Sequence, residues 1–143
     1  IASEYKRLAA ATLVRAKVDS LMLSGRNNII ILGDLNDEPT NKSVSEVLMA
    51  KKEISQPLQL KNLMLSLDVS EGSHRYKGQW AYLDQVIISL SLSTKVQSFG
   101  CFRAAYLLEE DNRFPGLQPY RTYKGLGYND GFSDHLPVFV DLI

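Results

Sequence analysis

Between residues 3 and 24 apolar groups recur at Tyr5, Leu8, Leu13, Ala16 and Leu21, while Lys6, Arg7, Arg15, Lys17 and Asp19 fall mostly elsewhere. That spacing predicts a helix, with Ser3 suited to its N-cap and Gly25 to its left-handed stop. Residues 28–32 then form a β-branched run without alternation, read as a strand covered on both faces and ended by Gly33. A polar stretch containing Pro39 leads to a second, shorter helix over 43–50, with Val44, Val47 and Leu48 on one side. Residues 58–67 read as a returning strand and 71–78 as a polar, turn-rich stretch before Trp80. Residues 82–89 are rich in strand formers but interrupted by Asp84. Residues 96–106 add an extended element. Residues 109–131, with Pro115, Pro119 and four glycines, read as a long loop, and 137–142 close the chain as a strand. Helices and strands alternate at first and strands then dominate, which predicts an α/β fold with a mixed sheet and flanking helices.

Composition narrows the picture without redirecting it. A chain of 143 residues suits one domain and one core. Its 45% hydrophobic and 22% charged residues argue against disorder and against a coiled coil. No apolar run is long enough to span a membrane. Sixteen basic residues balance sixteen acidic ones, which removes the electrostatic argument for tight, sequence-independent binding to a nucleic-acid backbone. The single cysteine, Cys101, has apolar flanks and reads as a buried structural thiol. The chain opens on Ile1 and runs straight into the helical pattern, as a cut end would.

Three polar clusters are candidates for chemistry. GDLNDEP, residues 33–39, follows a strand, where open α/β sheets place ligands at their carboxyl ends. The Asp34 carboxylate can hold a hard divalent ion or position a water, and the Asn36 amide can donate to a phosphate oxygen without adding charge. The plainer reading is a polar turn that ends a strand. Asp84 sits within YLDQVIIS, where an unpartnered buried carboxylate would cost several kcal/mol, so it needs either a partner or an outward-facing position. Ser133, Asp134 and His135 stand at the entrance to the last strand, where adjacent side chains diverge and can serve different tasks.

Together and in this order, GDLN, a strand bearing Asp, and SDHLP before the terminal strand resemble the late motifs of the endonuclease/exonuclease/phosphatase superfamily. The chain is also similar to bacterial members of that superfamily in its GSHRYKGQW and LLEEDNRFPGLQPYRTY stretches. The resemblance covers essentially the whole chain and implies half of a four-layer α/β sandwich. Residues 1–143 would form the C-terminal part of the domain and supply one sheet with its helices. It implies that Asp34 and Asn36 position water and phosphate, that Asp134 contributes to a metal site, and that His135 contacts the phosphate. Asp84 would hydrogen-bond His135, fixing its ring and favouring its protonated form. The implied cofactor is Mg²⁺ or Mn²⁺. The implied reaction is hydrolysis of a phosphodiester or phosphomonoester without a covalent intermediate. Candidate substrates are nucleic acid, lipid head groups and sugar phosphates, and the balanced charge suits small phosphodiesters at least as well as DNA.

The superfamily's first half supplies a further asparagine, a metal-binding glutamate and another histidine, and no such motif precedes GDLND here. The isolated chain is therefore expected to be inactive or nearly so. Its exposed sheet face should associate with the missing N-terminal half or with a second copy. His74, Arg75 and Tyr76 would lie near the substrate face, although Tyr76 and Trp80 read more simply as packing at a sheet edge. Arg121 and Lys124 could meet an anionic substrate or be ordinary loop charges. The rival from another class is a noncatalytic binding domain that keeps the fold.

Overall fold

A computed structural model describes residues 3–143. A twenty-residue helix, α1 (Glu4–Leu23), leads into strand β1 (Ile30–Asp34). After one turn of π-helix (Ser43–Val47) come β2 (Ala50–Lys51) and β3 (Leu60–Asn62). The hairpin of β4 (His74–Tyr76) and β5 (Gln79–Ala81) precedes β6 (Asp84–Ile88) and β7 (Val96–Cys101). Two further hairpins follow, β8 (Leu108–Glu110) with β9 (Leu117–Pro119) and β10 (Tyr123–Lys124) with β11 (Gly127–Tyr128), before β12 (Val138–Leu142) ends the chain.

The main sheet has the order β1-β6-β3-β2 and is mixed as expected, since β2 pairs parallel with β3 and the other pairs are antiparallel. Its centre is β6, whose Gln85–Ile88 segment is buried throughout. Ile87 packs under α1 with Ala11, Val18, Val44, Leu48 and Leu60. Val86 and Ile88 face the other way, against Leu63, Met64, Val96, Val138 and Val140. The antiparallel ribbon β7–β12 thus forms a second β layer over the sheet face opposite α1. Complete burial of side chains such as Ile87 and Leu60 contributes about 1.5–3 kcal/mol each, so this core fixes where β6 presents Asp84.

Several expectations need correction. The chain supplies strands to two packed β layers instead of one sheet, and among the described residues α1 is the only helix longer than two turns. Strand β1 lies two residues later than predicted. Among the described residues it is an edge strand, and Ile30 at 43% and Leu32 at 52% stay exposed because they share the face of Val86 and Ile88, which the β7–β12 ribbon covers over β6 and not over β1. The helix buries Ala11, Arg15 and Val18, whereas Tyr5 and Leu13 face solvent. Apolar residues surround α1 on several sides, and the sheet decides which stripe is buried, with Leu21 and Met22 packing beside it. Ser3 occupies the N-cap position, but its hydroxyl accepts a hydrogen bond from Arg7 instead of capping a backbone N–H. Gly25, at φ +81°, is the expected stop, with Arg26 N donating to Leu21 O at 2.9 Å and Gly25 N to Met22 O at 3.0 Å.

The predicted helix over 43–50 shortens to the π turn because Ala50 joins the sheet, and 58–67 divides into β3 and a 3₁₀ turn (Leu63–Ser66) capped by Asn62. The supposed long loop, 109–131, carries paired strands. Its β8–β9 connection is tied down by the buried Arg75, which bonds Asp111 at 3.0 Å and Pro115 O at 2.6 Å. No helix among the described residues is long and apolar enough to cross a membrane.

Candidate functional site

The GDLNDEP turn leaves β1 through two left-handed positions, Gly33 at φ +138° and Asn36 at φ +51°. A side chain at residue 33 would be strained there whatever the surrounding space, and asparagine tolerates the left-handed region better than most residues. Asn36 donates from its backbone N to Asp34 Oδ1 at 2.8 Å and from Nδ2 to Asp34 Oδ2 at 3.3 Å, so the amide and the carboxylate form one unit. The turn is anchored through buried Asp37, which accepts from Ser43 Oγ at 2.5 Å and pairs with Arg7 Nε at 2.8 Å. Gln85, on the central strand, donates to Asp37 O at 2.5 Å and accepts from Asn62 Nδ2 at 2.6 Å. The hydrogen bonds among Asp37, Ser43, Gln85 and Asn62 hold the turn's conformation.

Strand register does the next step. Asp34 of β1 lies directly opposite Asp84 of β6, and like charges directly opposed across strands are destabilising. An imidazole stands at this pair, His135 Nδ1 donating to Asp84 Oδ2 at 2.6 Å. The acid that interrupts an apolar strand therefore has its partner. Ser73, fully buried, donates from Oγ to the same Oδ2 at 2.7 Å and accepts from Asp84 N at 3.2 Å. Its carbonyl also accepts from Leu136 N at 2.7 Å, so one serine fixes both the acid and the segment carrying the histidine.

With Nδ1 engaged, Nε2 is the free nitrogen of the His135 ring. Asp34, Asp84 and His135 each offer a ligand atom within 4.8 Å of the others, and so do His74, Asp134 and His135. His74 is bridged to His135 through the backbone, and their ring centroids are 4.6 Å apart. Burial, and then the neighbouring His135 and Arg121, hold the His74 imidazole below its ordinary pKa. Mixed carboxylate and imidazole donors at this spacing could hold a divalent cation.

All five sequence candidates, Asp34, Asn36, Asp84, Asp134 and His135, thus lie at one rim of the sheet. Of the weaker candidates, His74 joins them, whereas Arg75 points to the opposite side of β4 and Tyr76 is exposed beside Lys77. Trp80 packs as a structural ring, with the guanidinium carbons of Arg103 and Arg75 lying 4.1 and 5.9 Å from it. Cys101 is half-buried, with burial pushing its thiol up to about 11. Ser73 escaped the sequence reading: a serine before a short hairpin carries no mark until the hairpin folds it back onto Asp84.

Residues 2–143 match the Endonuclease/Exonuclease/phosphatase family, and the chain belongs to that family. Its members are generally hydrolytic enzymes and typically use divalent metal ions, in keeping with the acid and imidazole donors gathered here. Comparison with curated proteins and with solved structures gave no match.

Proposed function

We propose that this domain carries the C-terminal part of the site of a divalent-metal-dependent phosphoesterase that hydrolyses a phosphodiester or phosphomonoester. The observation that supports it most is the convergence of Asp34, Asp84 and His135 from three distant segments, with the acid–imidazole contact at 2.6 Å. Asp34 and Asn36 position the attacking water and a phosphate oxygen. His135, held by Asp84, presents Nε2 to the phosphate as a hydrogen-bond donor or acceptor. Asp84 and Ser73 are positioning residues, since neither needs to touch substrate. Asp134, with His74 beside it, would hold the cation. A bound divalent ion, Mg²⁺ or Mn²⁺ in this reading, supplies charge neutralisation at the phosphoryl oxygens and polarises water.

The domain by itself is proposed to be inactive, and the parent chain to complete the site with its N-terminal half. The exposed Ile30 and Leu32, on the sheet face that leads to Asp34, are the surface such a half or a second copy would cover. Together these layers would make the four-layer sandwich.

The test is hydrolysis of bis(p-nitrophenyl) phosphate by the parent protein with and without Mg²⁺ or Mn²⁺, comparing wild type with His135→Ala. Loss of about 10²-fold or more in the variant is expected for a group acting in proton transfer. Full activity in His135→Ala, or in the presence of EDTA, would overturn the reading. Hydrolysis by residues 1–143 alone would overturn the claim that this part is insufficient.

A further inference from the structure

The stretch LLEEDNRFPGLQPYRTY, residues 107–123, has no task in the reaction proposed for this domain, yet it is built around one buried cation. Arg75 of β4 donates from Nη1 to Asp111 Oδ2 at 3.0 Å and from Nη2 to Pro115 O at 2.6 Å. The two side chains of the ion pair are only 5% and 9% exposed. Asp111 Oδ1 is used as well, accepting from Arg113 N at 2.9 Å and from Phe114 N at 3.2 Å. Gly116, at φ +102°, takes a turn conformation that a side chain would strain, and its carbonyl lies 3.5 Å from Arg75 Nη1. Further along, Arg121 donates from Nη2 to Arg75 O at 2.5 Å. One residue of β4 therefore holds the stretch by its side chain and is held by it through its carbonyl.

The far end of the stretch reaches the segment that carries the histidine. Tyr120 O accepts from Phe132 N at 2.7 Å and from Ser133 N at 3.3 Å, and Thr122 Oγ1 donates to Phe132 O at 2.8 Å. Ser133 Oγ in turn accepts from His135 N at 3.1 Å. Successive side chains of a strand point to opposite faces, so β4 turns Arg75 toward this stretch and His74 toward the reaction centre. His74 is bridged to His135 through the backbone, with ring centroids 4.6 Å apart. The contacts close a circuit from Arg75 through 107–123 to Ser133 and His135, and back across the bridge to His74.

A buried ion pair is a poor source of stability, because desolvation offsets much of its attraction. Arg75 and Arg121 also each keep a buried Nε without a partner among the described residues, which costs further stability. What a planar guanidinium supplies is direction, since its donors have fixed angles and can hold two acceptors at a set separation.

We infer that Arg75, Asp111 and Arg121 are positioning residues of the candidate site, and that residues 107–123 form a brace that sets the His74 imidazole against His135 and Asp134. The inference rests on the phosphoesterase reading and adds to it residues that act through the two imidazoles. It also gives the Arg121 guanidinium a task other than meeting an anionic substrate.

Three variants test it. Asp111→Asn keeps Oδ1 for the turn and removes the charge facing Arg75, and Arg121→Gln removes the guanidinium from Arg75 O. Thr122→Val, nearly isosteric, cuts only the link to Phe132 O and keeps the test open where a variant of the buried charges fails to fold. In ¹⁵N-histidine-labelled protein the folded variants should shift the imidazole resonances of His74 and His135. In the parent enzyme kcat for bis(p-nitrophenyl) phosphate should fall about tenfold or more with KM within about twofold, since a displacement of about 1 Å can cost on the order of 10²-fold. Val18→Ala, in the core cluster under α1, is the reference for a purely structural loss: its urea midpoint should fall while kcat and both imidazole resonances stay at their wild-type values.

Imidazole resonances unmoved in the folded variants, or a loss of kcat no larger than that of Val18→Ala, would overturn the brace. A parent enzyme that hydrolyses the ester but is indifferent to these variants loses the brace and keeps the reaction. A protein whose resonances shift as expected but whose parent hydrolyses nothing loses the reaction and keeps the brace.

Discussion

Ser73→Ala isolates the support of the acid–imidazole pair. The hydroxyl it removes is fully buried, donates to Asp84 Oδ2 at 2.7 Å and accepts from Asp84 N at 3.2 Å. A hydrogen bond to a charged group contributes a net of about 1.5–3 kcal/mol. Asp84 keeps His135 as a second partner, and deleting one oxygen leaves little empty volume, so the lower half of that range applies, about 2 kcal/mol. Urea unfolding followed by circular dichroism would show this as a lower midpoint with unchanged slope. Ser73→Ala, Asp84→Asn and the double variant complete a cycle, in which contacting residues should couple by about 1 kcal/mol or more. In the parent enzyme Ser73→Ala should lower kcat with little change in KM, because the serine acts through the orientation of His135. A stability change below about 0.5 kcal/mol, or strict additivity with Asp84→Asn, would refute the role given to this hydroxyl.

Further outcomes follow from particular contacts. A Cβ added at Gly131 would strike the Tyr120 and Arg121 carbonyl oxygens, so Gly131→Ala should displace the turn leading to Ser133 and His135, abolishing parent activity and shifting the His135 resonances in NMR spectra. Arg15→Ala would strand the carbonyls of Leu48 and Leu58, which its Nη1 reaches at 3.1 and 2.9 Å, and should cost about 3 kcal/mol in thermal or urea unfolding. Cys101, raised to about 11 by burial, should resist iodoacetamide at pH 8, where about one thiol in a thousand would be ionised; alkylation as fast as in the urea-unfolded chain would contradict this. A raised thiol pKa contributes stability that is complete below the unfolded value, about 8.5, and lost as pH rises toward the folded one. Burial raises Tyr82 as well, so unfolding should become easier through the alkaline range.

Local rules determined more of this protein than its composition did. Residues 3–24 have helical spacing and a glycine stop, and both ends of α1 fell within a residue of that reading. The types and order of GDLN, Asp84 and SDH carried the family resemblance, because each type has few chemical uses and their sequence order survives any packing. What sequence could not decide was everything set by contacts between distant segments. Which stripe of α1 is buried depended on the sheet, which took Ala11, Arg15 and Val18 and left Tyr5 and Leu13 in solvent. The alternation of β1 arises because α1 covers one of its faces and the β7–β12 ribbon stops short of the other, and 109–131 looked like loop because its strands are too short to show a period. Above all, only the pairing of β1 with β6 sets Asp34 against Asp84, and only the β4–β5 hairpin brings Ser73 and His74 to them. Register and chain reversal are long-range choices, fixed by burial on both faces of β6, and no window of sequence around any one of these residues contains them.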